Sequence, residues 1–189
     1  MEPDWPAVVS DMVEQIAALL RGYEPADEVE AGHHARMLEL IDTPRPTSRH
    51  QFAPGHFTAS AFVLNDRGEL LLIHHAKLHR WLQPGGHIDP TDQTPAAAAQ
   101  RELQEEAAVT DAAGNGQLID VDVHPIPANP KKNEPAHEHF DLRFLFRTGS
   151  HDILAGSDAL DAKWLKLDRV AQEITDASVI RCVAKLERR

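Results

Sequence analysis

Residues 86–109 read GHIDPTDQTPAAAAQRELQEEAAV, and this stretch decides the fold that we expect. Thr94 and Pro95 open a helix within it, with Thr94 as the N-cap and Pro95 in the first turn. The residues that follow are mainly alanine, glutamine, glutamate and leucine, which favour helices. A helix is therefore expected directly after a loop that carries the glycine pair Gly85-Gly86.

Three glutamates, Glu102, Glu105 and Glu106, share one face of this predicted helix, because positions i, i+3 and i+4 lie side by side. Leu103 and Ala107 then point toward a sheet. Carboxylate clusters are the ligands that hard cations such as Mg²⁺ and Mn²⁺ prefer. A solvated acidic face is the alternative, and the nearby glycine pair and arginine favour a metal site over it.

The same stretch resembles the Nudix box, whose pattern is Gly, five residues, Glu, seven residues, then Arg-Glu-apolar-x-Glu-Glu-x-Gly-apolar. The matching positions are filled by Gly86, Arg101, Glu102, Leu103, Glu105, Glu106 and Val109. The segment between Gly86 and Arg101 is one residue longer than the pattern, and Asp92 or Gln93 replaces the first glutamate. Ala108 stands at the glycine position, which predicts a helix end without a left-handed glycine cap.

The resemblance implies an α/β fold: a Nudix-type α/β/α sandwich with a mixed β-sheet, here with an N-terminal helical extension. It implies a hydrolase that uses Mg²⁺, with Mn²⁺ as a substitute, to cleave a pyrophosphate bond. The expected substrate is a nucleoside diphosphate linked to another group, or a related nucleotide. By resemblance, Glu105 and Glu106 bind metal, Glu102 is a further ligand or the base that orients water, and the Gly85 carbonyl is an extra ligand. Arg101 is expected to hold the glutamate rotamers.

The N-terminal segment, residues 1–48, is predicted to be helical and to end in the linker Thr43-Pro44-Arg45-Pro46-Thr47. Apolar residues recur there at helical spacing: Val9, Val13, Ile16, Ala17 and Leu20. We expect this stripe to pack against the catalytic domain, residues 49–189, or against a second copy of the chain in a homodimer.

A predicted strand around residues 137–144 alternates between polar and apolar side chains. Its polar face carries His139, Asp141 and Arg143, and we expect Arg143 to bind a substrate phosphate with Asp141 holding it in place. A structural pair between Arg143 and Asp141 is the alternative. His139 and Lys77 are further candidates for substrate contact, the alternative for Lys77 being a solvated side chain.

Composition excludes several classes of function. The 189 residues carry 19 basic and 30 acidic side chains, a net charge of −11 that disfavours binding to DNA or RNA. No apolar run is long enough for a membrane span, and the N-terminus lacks the pattern of a signal peptide. With a single cysteine, Cys182, the chain is expected in the cytoplasm.

The histidines do not predict a zinc site, because the pair His75 and His79 falls at a strand end and in a loop, where spacing by four does not bring side chains together. Three alternative functions fit the sequence less well. A catalytically weak Nudix module that binds a nucleotide as a regulatory signal is permitted by the altered first glutamate. An isopentenyl diphosphate isomerase needs a cysteine where Gly85 stands, and a pure scaffold leaves the glutamates unexplained.

Overall fold

The structure is a computed structural model that describes residues 7–156, 159–174 and 176–188, without the side chains of residues 7–10 and 115. Within these residues the helices are α1 (Ala7–Arg21), α2 (Glu28–Ile41), α3 (Pro95–Ala107), α4 (Leu167–Glu173) and α5 (Ala177–Leu186). The strands are β1 (Gly55–Leu64), β2 (Glu69–His75), β3 (Arg80–Leu82), β4 (Gly85–His87), β5 (Ala113–Ile126), β6 (His137–Arg147) and β7 (Ala159–Lys166). No helix in these ranges has both the length and the apolar content to cross a bilayer.

The strands of the described residues form one mixed sheet. Its main order is β3-β2-β1-β6-β5, with β4 also paired to β1 and β7 paired to β2. β1 and β6 run parallel, whereas the remaining pairs are antiparallel. The first two strands form an antiparallel hairpin, with Leu64 opposite Leu70.

Strand alternation divides the core into two layers. Phe57, Ala59 and Val63 of β1 belong to the apolar cluster that α1, α2 and α3 cover. Phe62 and Leu64 of β1 belong to a second cluster, which α4 and α5 cover. Helices therefore lie on both faces of the sheet, which confirms the predicted α/β/α sandwich.

The N-terminal helices are part of this core. Ile16 and Leu20 of α1, and Met37 and Leu40 of α2, are fully buried in the same cluster as the sheet residues. Burial of the predicted stripe is thus confirmed for Ile16 and Leu20. Val13 is half-buried. The Val9 side chain lies outside the described residues, and the division of the chain at residue 48 stays a prediction.

Helix α3 begins as predicted but ends differently. The Thr94 hydroxyl accepts a hydrogen bond from the Ala97 amide at 3.0 Å, as an N-cap should. At the other end Ala108 has φ 57° and ψ 20°, so the predicted absence of a left-handed cap is wrong. The next residue, Val109, is buried in the core directly after this turn. Ala108 adopts a conformation that glycine adopts without strain.

Replacing Ala108 by glycine should stabilise the protein by about 0.5–1 kcal/mol. The left-handed conformation costs an alanine about 1–2 kcal/mol, and the greater freedom of glycine in the unfolded chain offsets part of the gain. Thermal unfolding would show a melting temperature higher by about 1–4 °C. The matched control is Ala97→Gly inside α3, which should lower it. A melting temperature that is unchanged or lower for Ala108→Gly would contradict the assignment of strain.

Candidate metal and catalytic site

Helix α3 turns its glutamates away from the core and toward strand β4. Leu103 and Ala107 are fully buried against the sheet. On the other side, Glu106 is buried, the Glu102 side chain is 14% exposed and the Glu105 side chain is 56% exposed. The three carboxylates thus run from the interior to the surface along one edge of the helix.

The glycines of β4 bring the backbone directly against these carboxylates. The Gly85 amide donates a hydrogen bond to Glu106 at 2.9 Å. A Cβ atom on Gly86 would lie 2.6 Å from the carboxyl carbon of Glu102, and one on Gly85 would lie 2.2 Å from the Ser60 hydroxyl. At Gly85 a Cβ would also lie 2.8 Å from the Ser60 Cα, so a larger residue needs a shift of the backbone there, whereas at Gly86 it would displace the Glu102 carboxylate. The glycine pair predicted from the sequence therefore lies where backbone and glutamates meet. A metal role for the Gly85 carbonyl stays a prediction.

Arg101 holds the helix to the loop before it. One terminal nitrogen donates to Glu102 at 2.9 Å and to Glu105 at 3.3 Å. The other terminal nitrogen donates to the His87 carbonyl at 2.8 Å. The same nitrogen and Nε each donate a hydrogen bond of 3.1 Å to the Asp92 carboxylate. These are the contacts expected of a residue that fixes the glutamate rotamers.

Asp92 takes the place of the missing glutamate in this arrangement. Its side chain is buried and accepts the forked pair of bonds from Arg101, whereas Gln93 is exposed. Of the two residues that the sequence offered, Asp92 is therefore the one that supports the site. A planar guanidinium that binds a carboxylate through two parallel bonds is well fixed in orientation.

The Glu102 carboxylate is in an unfavourable environment for its charge. Burial raises the pKa of Glu102, the nearby Arg101 partly offsets this, and the negative charges of Glu105 and Asp89 raise it further. A divalent cation among these oxygens would reverse the balance by supplying positive charge. The donors that the three glutamates offer are carboxylate oxygens, which fit Mg²⁺ or Mn²⁺.

The expectation that Arg143 binds a substrate phosphate is wrong in this structure. The Arg143 side chain is 2% exposed, and all five of its N–H groups are used within the protein. Nε donates to Asp141 at 3.0 Å, and the terminal nitrogens donate to Asp120, Asp122 and both the carbonyl and the hydroxyl of Ser178. The predicted contact between Arg143 and Asp141 is present. Helix α5 covers this face of the sheet, so the guanidinium is part of the interior.

Because of this buried ion cluster, the free energy of unfolding should decrease at acidic pH. Burial raises the pKa of Asp122, but Arg143, His124 and Arg181 outweigh it and hold that pKa well below the usual range. The stabilisation is present above the unfolded pKa of about 3.9 and is lost below it, by about 1.4 kcal/mol per pH unit. We expect Asp122→Asn to be less stable at neutral pH, with a difference that shrinks toward pH 2. The free energy of unfolding of both proteins is measured with urea at several pH values. A difference between wild type and Asp122→Asn that stays constant with pH would contradict this prediction.

The remaining predicted substrate residues lie in different places. Lys77 is exposed in the turn after β2, and its amide lies 3.2 Å from Nδ1 of His75. His139 is half-buried on β6, with its ring near those of His56 and His87. Contact of Lys77 and His139 with a substrate stays a prediction.

The sequence alone did not indicate that His56 lies close to His139. It lies on β1 directly beside His139, because β1 and β6 pair in parallel register. That pairing joins distant parts of the chain and cannot be read from spacing. A weaker signal was available, since His56, Thr58 and Ser60 alternate as one polar face of the first strand.

The chain is similar to known proteins. The NUDIX domain matches residues 54–185 of the chain. A curated relative, the probable DHNTP pyrophosphohydrolase of Lactococcus lactis subsp. cremoris (strain MG1363), is 32% identical over 111 residues. These residues are 58% of this chain and 65% of that protein, so the chain spans slightly less than two thirds of the relative's length.

Solved structures show the same fold. The NUDIX domain of Shewanella oneidensis NrtR, complexed with ADP ribose, has a TM-score of 0.54 at 17% identity, covering 79% of this chain and 94% of its own. The dihydroneopterin triphosphate pyrophosphohydrolase of E. coli has a TM-score of 0.52 at 14% identity, covering 68% of this chain and 92% of its own. At these identities the likeness concerns architecture alone.

Proposed function

Because this chain belongs to the Nudix family, we propose that it is a Mg²⁺-dependent hydrolase of a pyrophosphate bond. Its substrate in this proposal is a nucleoside diphosphate linked to another group, or a related nucleotide. The observation that carries the proposal is the cluster of Glu102, Glu105 and Glu106, held between Arg101 and the glycine strand. On a solvated acidic face all three glutamates would be exposed, whereas Glu106 is buried and accepts a hydrogen bond from the Gly85 amide.

The residues that would hold Mg²⁺, or Mn²⁺ in its place, are Glu102, Glu105, Glu106 and the Gly85 carbonyl. Two observations support the fit: burial raises the pKa of Glu102, and the Gly86 backbone approaches the Glu102 carboxylate so closely that a Cβ would lie 2.6 Å from its carboxyl carbon. When bound, divalent ions neutralise charge on phosphate oxygens and lower the pKa of a bound water.

The chain's own residues have separate tasks in this proposal. Arg101 keeps Glu102 and Glu105 in fixed orientations through its bonds to Asp92 and the His87 carbonyl. Glu102 acts as a further ligand or as the base that accepts a proton from the attacking water, since Arg101 fixes its carboxylate within the cluster. Glu105, the most exposed of the three, meets the substrate side of the cluster.

Dihydroneopterin triphosphate is a second candidate substrate. It is favoured by the 32% identity to the probable DHNTP pyrophosphohydrolase of Lactococcus lactis. His139 and Lys77 are the proposed contacts for the part of the substrate that the glutamates do not reach. The net charge of −11 disfavours DNA, whereas a small anionic substrate needs only local neutralisation by the bound cations. The single cysteine, Cys182, suits a reducing cytoplasm.

A substrate panel with fixed Mg²⁺ tests the proposal. It contains nucleoside triphosphates, ADP-ribose, dinucleoside polyphosphates and dihydroneopterin triphosphate, and the products are separated by chromatography. We expect turnover of at least one member, and the products identify the bond: two monophosphates from a linked diphosphate, or a monophosphate and pyrophosphate from a triphosphate. Tight binding without turnover would instead support a regulatory nucleotide-binding module.

A further inference from the structure

Three histidines from three strands meet, and one of them, His87, directly follows Gly86 of the glutamate site. The pairing of β1 with β6 sets His56 beside His139, and the pairing of β1 with β4 sets His87 opposite Thr58. One ring nitrogen from each of His56, His87 and His139 can be chosen so that all lie within 4.8 Å of one another. The ring centres are 4.9–5.3 Å apart.

The ring of His56 offers one nitrogen to a metal ion. Its side chain is fully buried, and Nδ1 lies 3.1 Å from the Gln51 carbonyl oxygen. A carbonyl only accepts, so Nδ1 carries the proton and Nε2 carries a free lone pair. Among the described residues Nε2 has no hydrogen-bond partner. Leaving a buried acceptor unpaired is costly, and a buried group without a partner calls for a ligand.

Two of the rings are also in the protonation state that binds metal. Burial is the main cause that lowers the pKa of His56 to about 4 and of His139 to about 2. At neutral pH these two rings are uncharged, as an imidazole ligand must be. The hydrogen bond from Nδ1 of His56 to a backbone carbonyl is the type of contact that orients a metal-binding histidine.

We propose that His56, His87 and His139 form a second metal site, for a transition ion of the Zn²⁺ class. Three imidazoles with a fourth position left open is a ligand set typical of such ions. Mg²⁺ prefers oxygen ligands and belongs with the glutamates, so the two sites select different ions. In a tetrahedral site the nitrogens lie roughly 3.4 Å apart, so the rings must close in by small side-chain rotations.

The open position would accept water or an anionic oxygen. His87 and His139 are half-buried whereas His56 is fully buried, so solvent reaches the cluster at His87 and His139. The backbone carbonyl of His87 accepts a hydrogen bond from Arg101 at 2.8 Å.

Zinc binding to the full, untagged chain tests this inference. The protein is stripped with a chelator, and its affinity for Zn²⁺ is measured by competition with a chromophoric chelator, with bound metal counted by mass spectrometry. We expect one tightly held Zn²⁺ in the wild type and in Glu105→Gln. Loss of a residue that only hydrogen-bonds to a metal ligand weakens metal binding by about 10–100-fold. His87 and His139 are proposed as direct ligands, so His87→Gln and His139→Gln should each weaken Zn²⁺ binding by at least about 100-fold.

The matched control is His74→Gln, since His74 contacts Trp81 and belongs to a different strand. Its zinc affinity should equal that of the wild type, and Co²⁺ in the wild type should show the visible bands of a nitrogen-ligated site. A wild type that holds no tight Zn²⁺ would overturn the proposal. So would an affinity that survives in His87→Gln and His139→Gln, or one that disappears in Glu105→Gln, because the ion would then be bound elsewhere.

Discussion

Replacing Glu105 by glutamine should lower kcat by about 100- to 1,000-fold while the protein stays folded. Glutamine keeps the size of the side chain but removes the charge that a divalent ion requires. The Glu105 side chain is 56% exposed and makes one bond of 3.3 Å to Arg101, so its loss leaves the core untouched. Steady-state kinetics at saturating Mg²⁺, with circular dichroism as the folding check, measures the effect.

The control for this substitution is Gln104→Ala, one residue earlier on the same helix. Gln104 is exposed and carries no charge, so its loss should change kcat less than twofold, within the range of ordinary surface substitutions. If Glu105→Gln retained the activity of the wild type, Glu105 would have no place among the metal ligands.

Deleting residues 1–48 should prevent the rest of the chain from folding. Ile16, Leu20, Met37 and Leu40 are fully buried in the main core, and burial of each contributes about 1.5–3 kcal/mol. Their combined contribution is comparable to the whole stability of a typical domain, about 5–15 kcal/mol. The deletion also removes Glu30, a fully buried carboxylate that accepts bonds from the Val121 amide and Lys185.

Single substitutions in the full-length chain test whether the buried side chains of these helices, and not merely the length of the chain, provide the stability. Met37→Ala should cost about 2–5 kcal/mol by urea unfolding, because the side chain is fully buried. Val29→Ala, on the exposed side of the same helix, should change the free energy of unfolding by less than about 0.5 kcal/mol. A truncated chain as stable, soluble and active as the full one would show that these helices are dispensable.

Features that depend on neighbouring residues were predictable. The N-cap of α3, its proline and the shared face of its glutamates follow from spacing along one helix, and the structure has each of them. The alternation of β6 was also predicted. What alternation cannot give is the element that covers each face. Arg143 was therefore assigned to the substrate when α5 in fact buries it among carboxylates.

Features that depend on distant pairing escaped prediction. β3 and β4 have three residues each, too few for a periodic pattern, and they exist because β2 and β1 supply their partners. Helix α4 has seven residues, which is also too few to show a periodic pattern in the sequence. The cluster of His56 with His139 needs the parallel register of two strands about eighty positions apart.

The metal dependence of hydrolysis tests the central claim most directly. The wild-type protein is treated with a chelator and transferred to buffer, and the initial rate of pyrophosphate-bond cleavage on its best substrate is measured as Mg²⁺ is added back alone. If Glu102, Glu105 and Glu106 hold the catalytic ions, the rate without metal is at background, it rises to saturation with Mg²⁺, and Mn²⁺ restores it as well. A rate that is undiminished in excess chelator would contradict the account.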